Sequence, residues 1–218
     1  MNFKHILPHL VAIIVFLVLS AVYFSPQLEG KRIQQGDIVQ YQAMEKEVSE
    51  FEEKTGDDIY WNNGMFAGMP WHMMAVGKSY NFLMSAININ PLLKFANYPL
   101  SYVFWGMVLC YLSLVLLGVN PWLSIAGAVA FGFNINHMVL IEAGHNNKIR
   151  VITYFPLILS GLLLVNWKRY LLGGLLVGIG ISAALYGNHP QMVYYFGLML
   201  SLLVVAFAIK AIIENDFP

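Results

Sequence analysis

The sequence has few charged residues. Of its 218 residues only 11% are charged, while 58% are hydrophobic; a soluble domain usually has about 25% charged residues. A soluble protein needs a polar surface whatever the size of its core, so the shortage indicates a surface that faces lipid. The formal net charge is zero, which excludes the strongly basic field typical of nucleic-acid-binding proteins.

Cysteine is nearly absent. Cys110 is the only one in the sequence, which excludes an internal disulfide and a cysteine-based zinc site. It lies within an apolar stretch, where we expect it to pack as a small apolar side chain.

Six apolar stretches are long enough to cross a bilayer, which takes about 20 helical residues. Backbone polar groups inside the membrane must be satisfied within the segment, so each stretch is predicted to be a helix. We therefore expect an all-α fold, a polytopic transmembrane helix bundle that forms a single module over residues 1–218. The predicted spans are 7–24, 99–118, 121–140, 151–167, 170–187 and 191–212.

Glycines in the fifth span would weaken a soluble helix. In a membrane they allow two helices to approach closely instead. The glycines of this span are Gly173, Gly174, Gly178 and Gly180.

Basic residues in the short connections predict the orientation of the spans. Lys168 and Arg169 separate the fourth and fifth spans, Lys210 closes the sixth, and Lys4 precedes the first. These residues place the N-terminus in the cytoplasm. The first span is then an uncleaved signal anchor, since its apolar run of about 18 residues is longer than that of a usual signal peptide.

Three connections then lie on the extracytoplasmic side of the membrane: 25–98, 141–150 and 188–190. Lys148 and Arg150 fall in the second of these against the positive-inside rule, which favours a specific role for them. The sequence therefore predicts a large first extracytoplasmic loop and polar clusters gathered on the same side.

The loop 25–98 contains an amphipathic helix. Over residues 38–55 apolar residues recur at helical spacing, and Gly56 is a natural stop. The next segment, 61–72, mixes Gly, Met, Pro and aromatic residues without a secondary-structure period, and we expect it to lie at the level of the lipid headgroups. The apolar face of the helix consists of Ile38, Tyr41, Met44, Val48 and Phe51.

Asp37 lies about a dozen residues beyond the first span and permits two interpretations. It could act as a general base on a hydroxyl acceptor, or bind a sugar phosphate through a metal ion. Alternatively, Asp37 is the N-cap of the amphipathic helix in a capping box with Gln40. The two roles compete, because a carboxylate that accepts backbone N–H bonds is a weaker base.

A second polar cluster follows the third span. Glu142 and His145 are three residues apart, so on one helical turn they would face the same way and could hold a divalent metal. Lys148 and Arg150 could neutralise a phosphate at the membrane surface. The alternative is a polar turn whose two basic side chains extend to the lipid headgroups.

The connection Asn188-His189-Pro190-Gln191 lies on the same side. Taken alone it is a tight turn with Pro190 in the first turn of the next helix. His9 and His137, on apolar faces, are expected to form hydrogen bonds within the bundle. A bundle that packs the first span beside the third, fifth and sixth would bring the polar clusters together.

Four segments, in this order and spacing, resemble the bacterial YfhO-like membrane protein family of the C-type glycosyltransferase superfamily. The similarity extends over essentially the whole chain. The segments are Gln35-Gly36-Asp37, Trp61-Asn62-Asn63-Gly64-Met65-Phe66-Ala67-Gly68-Met69-Pro70, Glu142-Ala143-Gly144-His145-Asn146-Asn147-Lys148 and Asn188-His189-Pro190-Gln191-Met192.

The resemblance implies a multi-pass protein of the bacterial cytoplasmic membrane that transfers a sugar from a polyprenyl-phosphate donor to an acceptor outside the membrane. It implies Asp37 and Glu142 as the catalytic carboxylates. Metal use differs within the superfamily. Whether Glu142 and His145 bind Mg²⁺ or Mn²⁺ therefore stays open. The side chains expected to contact substrate are His145, Asn146, Lys148, Arg150, Asn188, His189, Trp61 and His72.

The sequence departs from the family in two respects. Family members are longer, so the resemblance implies an N-terminal portion whose partner is the remaining C-terminal part. The first acidic site is a single Asp, with Val39 where a second carboxylate would strengthen a metal site.

Two other classes of function stay open. One is a transporter or lipid flippase, although the spans are nearly free of ionisable groups. The other is a non-catalytic assembly subunit.

Overall fold

The computed structural model of the chain describes residues 3–64, 67–71 and 99–215. Within these ranges the chain is mostly helical. Before the gap at 72–98, the elements are α1 Phe3–Tyr23, α2 Ser25–Leu28, α3 Gly36–Thr55, β1 Trp61–Asn62 and β2 Met69–Pro70. After it they are α4 Leu100–Leu116, α5 Pro121–Gly132, α6 Ile135–Ala143, α7 Asn146–Ile152, α8 Phe155–Asn166, α9 Tyr170–Tyr186 and α10 Pro190–Glu214.

Several apolar helices have the length of membrane spans. Four segments of the described chain are long and apolar enough to cross a bilayer: His5–Tyr23, Pro121–Ala143, Asn146–Asn166 and Pro190–Glu214. Helices α4 and α9 are equally apolar but have 17 residues each, or about 25 Å at 1.5 Å per residue. The chain therefore has the helices of a membrane protein, while the count of six spans stays a prediction.

Two of the long segments each consist of two helices with a short break between them. Pro121–Ala143 consists of α5 and α6, and the Asn134 side chain between them accepts a hydrogen bond from the Asn136 N–H at 2.8 Å. Asn146–Asn166 consists of α7 and α8, and α8 restarts with Pro156 in its first turn. Because Asn is a strong N-cap and Pro has no N–H to donate, both breaks follow from the local sequence.

Helix α4 lies at the centre of the bundle. It packs against α1, α5 and α8, and its side chains Val103 and Met107 belong to a buried cluster with Phe16 of α1 and Ala128 of α5. A second buried cluster joins α7, α8, α9 and the first half of α10. The first predicted span therefore packs on the second and third, and the fifth packs mainly on the fourth. The predicted packing of the first span beside the fifth and sixth is not among the main contacts between the described helices.

Helices α8 and α9 approach each other through glycines. A Cβ atom on Gly173 would lie 2.6 Å from the carbonyl oxygen of Gly161, and one on Gly180 would clash with Ile158. A Cβ on Gly174 or Gly178 would meet no atom within 4 Å. The predicted role in close helix approach is thus confirmed for Gly173 and Gly180 and wrong for the other two.

We expect Gly173→Ala to lower the free energy of unfolding by about 1–3 kcal/mol, because the added methyl group would overpack the contact with backbone atoms of α8. The matched control is Gly174→Ala, one residue away on an open face, which should be neutral or slightly stabilising because Ala favours helix. Both can be measured by denaturation in detergent micelles. Equal stability of the two variants would contradict the close packing of α8 and α9.

The described part of the connection between α1 and α4 forms a small unit of its own. The strands β1 and β2 pair antiparallel, and Trp71 packs with Val48 of α3 while its ring stacks on Tyr41 at 5.9 Å between ring centroids. The buried Asn62 side chain donates to the carbonyl oxygen of Met44 at 3.0 Å. The helix and its stop at Gly56, which has φ 75°, are confirmed. Of the predicted apolar face, Val48 is buried and Phe51 is 40% exposed. The hairpin was not expected, because two paired residues per strand are too few to show a period.

Candidate functional site

The start of α3 meets the turn between α6 and α7, and this junction brings distant residues together. The turn depends on Gly144, which has φ 101°, a left-handed conformation that strains residues with a Cβ. A Cβ at this position would also lie 3.1 Å from Cβ of Gln35 and 3.2 Å from Cβ of Asp37. Only glycine satisfies both the conformation and the close contact with α3.

The side-chain amides of Gln35 and Asn146 form two hydrogen bonds with each other across the junction. Gln35 Nε2 donates to Asn146 Oδ1 at 3.2 Å, and Asn146 Nδ2 donates to Gln35 Oε1 at 3.1 Å. Gln35 Nε2 also donates to the carbonyl oxygen of Ile141 near the end of α6. These bonds satisfy amide groups of two side chains that are partly buried, and they hold the start of α3 in one register against the turn between α6 and α7.

Asp37 and His145 form the chemical centre of the junction. His145 Nδ1 lies 2.8 Å from Asp37 Oδ2, and the side chains remain 36% and 46% exposed, respectively. An exposed pair of this kind contributes only about 0–1 kcal/mol to folding. The pair is therefore accessible to a substrate and is a weak stabilising element.

The predicted capping role of Asp37 is wrong. The N-cap of α3 is Gln35, which has extended backbone angles, and the helix begins at Gly36. Asp37 lies within the first turn, where a negative charge interacts favourably with the helix dipole. Its carboxylate is thus not engaged as a cap and bonds His145 instead.

Glu142 does not join Asp37. It lies exposed in the last turn of α6, and among the described residues no hydrogen bond or ion pair involves its carboxylate. The helix ends at Ala143, and Gly144 reverses the chain before His145, so the helical turn that was expected to align Glu142 with His145 is broken. The side chain that contacts Asp37 is therefore His145, while a shared catalytic role of Asp37 and Glu142 stays a prediction.

The donor set does not fit a divalent metal. The part of the chain that the structure describes has no cluster of three or more His, Cys, Asp or Glu side chains suitable as ligands. The His145 nitrogen nearest to Asp37 is already hydrogen-bonded to it, and Mg²⁺ prefers near-octahedral oxygen coordination. The described residues of this junction therefore supply too few suitably placed ligands for a divalent metal.

Two cationic side chains follow on α7. The Arg150 guanidinium carbon lies 4.7 Å from the centre of the Tyr186 ring on α9, which is a favourable cation–π distance. Its Nε is buried without a hydrogen-bond partner. Arg150 is thus held against α9, whereas Lys148, half-buried two residues earlier, has no such contact with an aromatic ring of the described residues.

The turn between α9 and α10 lies beside the same cluster. Asn188 has φ 52°, His189 is the N-cap of α10, and its Nδ1 accepts from the Met192 N–H at 3.4 Å. Burial lowers the pKa of His189 below its usual value, and Lys148 and, to a smaller extent, His145 lower it further. The predicted turn at Pro190 is confirmed, and the third polar connection is electrostatically coupled to the second.

Trp61 and His72 were also expected to contact substrate. Trp61 belongs to the hairpin on α3, its side chain covers Gly68, and it is 50% exposed. The hairpin is hydrogen-bonded to α3 at Met44, about two helical turns beyond Asp37. His72 lies outside the described residues.

Two cavities among the described residues lie away from α3. One cavity of about 300 Å³ lies among α4, α5, α8 and α10, and another of about 640 Å³ lies among α8, α9 and α10. Neither is lined by a residue of α3. Sequence reasoning also missed Gln35 and Gly144 as parts of the site; the available signal for Gly144 was a glycine directly before His145 and two residues after Glu142.

Comparisons with protein-family models, with curated proteins and with solved structures return no match to this chain.

Proposed function

We propose that this chain carries the active site of a membrane glycosyltransferase, which moves a sugar from a polyprenyl-phosphate donor to a hydroxyl acceptor outside the cytoplasmic membrane. The observation that carries the proposal is the Asp37–His145 pair, joined at 2.8 Å and open to solvent. It lies where an external loop meets apolar helices of membrane-spanning length. The resemblance of the four sequence segments supports the same activity.

His145 is the general base in this proposal. When its Nδ1–H donates to the Asp37 carboxylate, the lone pair of its Nε2 is left to accept a proton. The acceptor hydroxyl gives its proton to Nε2 while its oxygen bonds to the anomeric carbon of the sugar. Asp37 orients the ring and stabilises the imidazolium that forms, as the carboxylate does in catalytic triads.

Lys148 and Arg150 assist the departure of the carrier. As the bond between the anomeric carbon and the phosphate oxygen breaks, negative charge grows on the polyprenyl phosphate. Fixed cations stabilise such a developing charge, and a cation within a helix packed against α9 and α10 needs little reorganisation. His189, whose lowered pKa keeps it neutral at pH 7, offers hydrogen-bonding capacity without further charge.

The test is transfer of radiolabelled sugar by the protein in membranes, using a panel of hexosyl polyprenyl-phosphate donors. We expect His145→Gln to lower turnover by about 10²-fold or more, since it removes the proton acceptor. Glu142→Gln measures the alternative assignment and should keep turnover within about twofold, because that carboxylate lies outside the pair.

The matched control is His5→Gln, which replaces an exposed histidine of α1 and should leave turnover unchanged. A loss on Glu142→Gln with full activity of His145→Gln would reassign the base. Absence of transfer by the unmodified protein with every donor in the panel would contradict the glycosyltransferase proposal.

A further inference from the structure

The Arg150 guanidinium has no anionic partner in the part of the chain that the structure describes. No ion pair or hydrogen bond joins it to another described residue, and its Nε is buried without an acceptor. The sequence over 72–98 contains no Asp or Glu. A guanidinium carries five N–H donors, and a half-buried one is costly while its donors stay unsatisfied. A bound anion would satisfy them.

The contact that the structure gives this guanidinium is an aromatic ring. The Tyr186 ring centre lies 4.7 Å from the Arg150 guanidinium carbon, within the range of about 6 Å over which a ring face attracts a cation. A carboxylate at the same place would also hold the guanidinium, but it would neutralise the charge. An aromatic face carries only a quadrupole, so Arg150 is held in place with its full charge available to a ligand.

The ring reaches Arg150 because α7 and the end of α9 approach each other closely. Gly187 directly follows Tyr186, and Val151 directly follows Arg150. A Cβ atom on Gly187 would lie 2.6 Å from Val151 Cγ2, and Val151 is fully buried. Consecutive residues of the two segments therefore meet in pairs, the glycine against the valine and the ring against the guanidinium.

We propose that Tyr186 is a positioning residue for Arg150, and that the guanidinium it holds binds the phosphate of the polyprenyl carrier. The inference rests on the proposed function, which supplies the identity of the ligand. Arginine recognises phosphate through a planar set of N–H donors. A side chain that is already ordered loses less conformational freedom when its ligand binds. Tyr186 acts through Arg150 and touches no reacting atom.

The experiment measures binding of undecaprenyl phosphate to the full chain in phosphatidylcholine nanodiscs, with neutral undecaprenol as the reference ligand. We expect the phosphate to bind about tenfold or more tightly than the alcohol. Tyr186→Leu removes the ring and should weaken phosphate binding about tenfold without changing undecaprenol binding. Tyr186→Phe keeps a ring face and should stay within about threefold of the unmodified protein.

The matched control is Tyr170→Leu, which replaces an exposed tyrosine at the other end of α9 and should change the binding of neither ligand. In an Arg150→Gln background, Tyr186→Leu should weaken phosphate binding by less than about twofold further, because the ring then has no cation to hold. If Tyr186→Leu fails to fold, Tyr186→Met removes the ring while retaining a long apolar side chain. The kcat/KM for the sugar donor should follow the same order across these variants.

Losses that add up in the double variant would overturn the proposal, and so would a Tyr186→Phe protein as weak as Tyr186→Leu. Equal binding of undecaprenyl phosphate and undecaprenol by the unmodified protein would overturn it as well. Tight phosphate binding that depends on the ring, without transfer of any sugar, would support this inference and count against the proposed function. Sugar transfer that Tyr186→Leu leaves unchanged would support the proposed function and contradict this inference.

Discussion

Asp37→Asn is expected to lower the rate of sugar transfer by about two to four orders of magnitude, as removal of the orienting carboxylate does in catalytic triads. The asparagine oxygen could still accept the bond from His145 Nδ1, now at 2.8 Å from the carboxylate. It would carry no charge to stabilise the imidazolium, and its amide group could instead donate to Nδ1 and place the proton on Nε2. The loss should appear in kcat, with little change in the KM for the lipid donor.

The control for this variant is Asp57→Asn, an exposed aspartate just beyond the end of α3, which should retain full activity. Thermal denaturation in detergent should detect little difference between Asp37→Asn and the unmodified protein, since an exposed ion pair contributes about 0–1 kcal/mol. Full activity of Asp37→Asn would remove Asp37 from the chemistry. A large loss of stability would instead make the pair a structural element.

Gly144→Ala is expected to have the largest effect on the fold of the site. Alanine at a φ of 101° is strained, and its methyl group would crowd Gln35, Asp37 and Ile38, all with atoms within 3.3 Å of the new carbon. We expect the free energy of unfolding to fall by about 2–4 kcal/mol. Turnover should fall by about 10²-fold, because α3 must move and a misplacement of about 1 Å is enough for that loss.

The variant Gly118→Ala separates the effect of backbone strain from the effect of crowding α3. Gly118, in the turn between α4 and α5, has φ 85°, and a Cβ there would meet no atom within 4 Å. The Gly118→Ala substitution should therefore lower the free energy of unfolding only by the backbone strain, about 1 kcal/mol. It should leave turnover unchanged. Hydrogen exchange at the start of α3 should rise in Gly144→Ala alone. If both glycine variants behave alike, the contact between Gly144 and α3 does not hold the site.

Local features of the chain could be predicted because each depends on neighbours in sequence. The apolar helices follow from runs that must satisfy their own hydrogen bonds in lipid. The end of α3 at Gly56 and the start of α10 at Pro190 follow from the backbone preferences of single residues. The two breaks at Asn134 and at Pro156 have equally local causes, although the apolar pattern predicts that each segment is one continuous span.

The partner of Asp37 could not be predicted in this way. The local pattern Asp37-Ile38-Val39-Gln40 favoured a cap, and the resemblance favoured Glu142, yet the structure pairs Asp37 with His145. The pairing depends on the left-handed turn at Gly144, which separates Glu142 from His145 and admits α3 at close range. It depends equally on the amide pair between Gln35 and Asn146, which are 111 residues apart.

The sequence by itself determined the class of protein: apolar helices of membrane length, an amphipathic helix outside them, and polar connections between them. The tertiary structure alone decided which polar side chains meet, which glycines carry helix contacts, and which aromatic ring holds Arg150. The physical reason is that burial in lipid acts on composition and period, which can be counted along the chain. A hydrogen bond between side chains depends on distances below about 3.5 Å, which are set only when separate helices have packed.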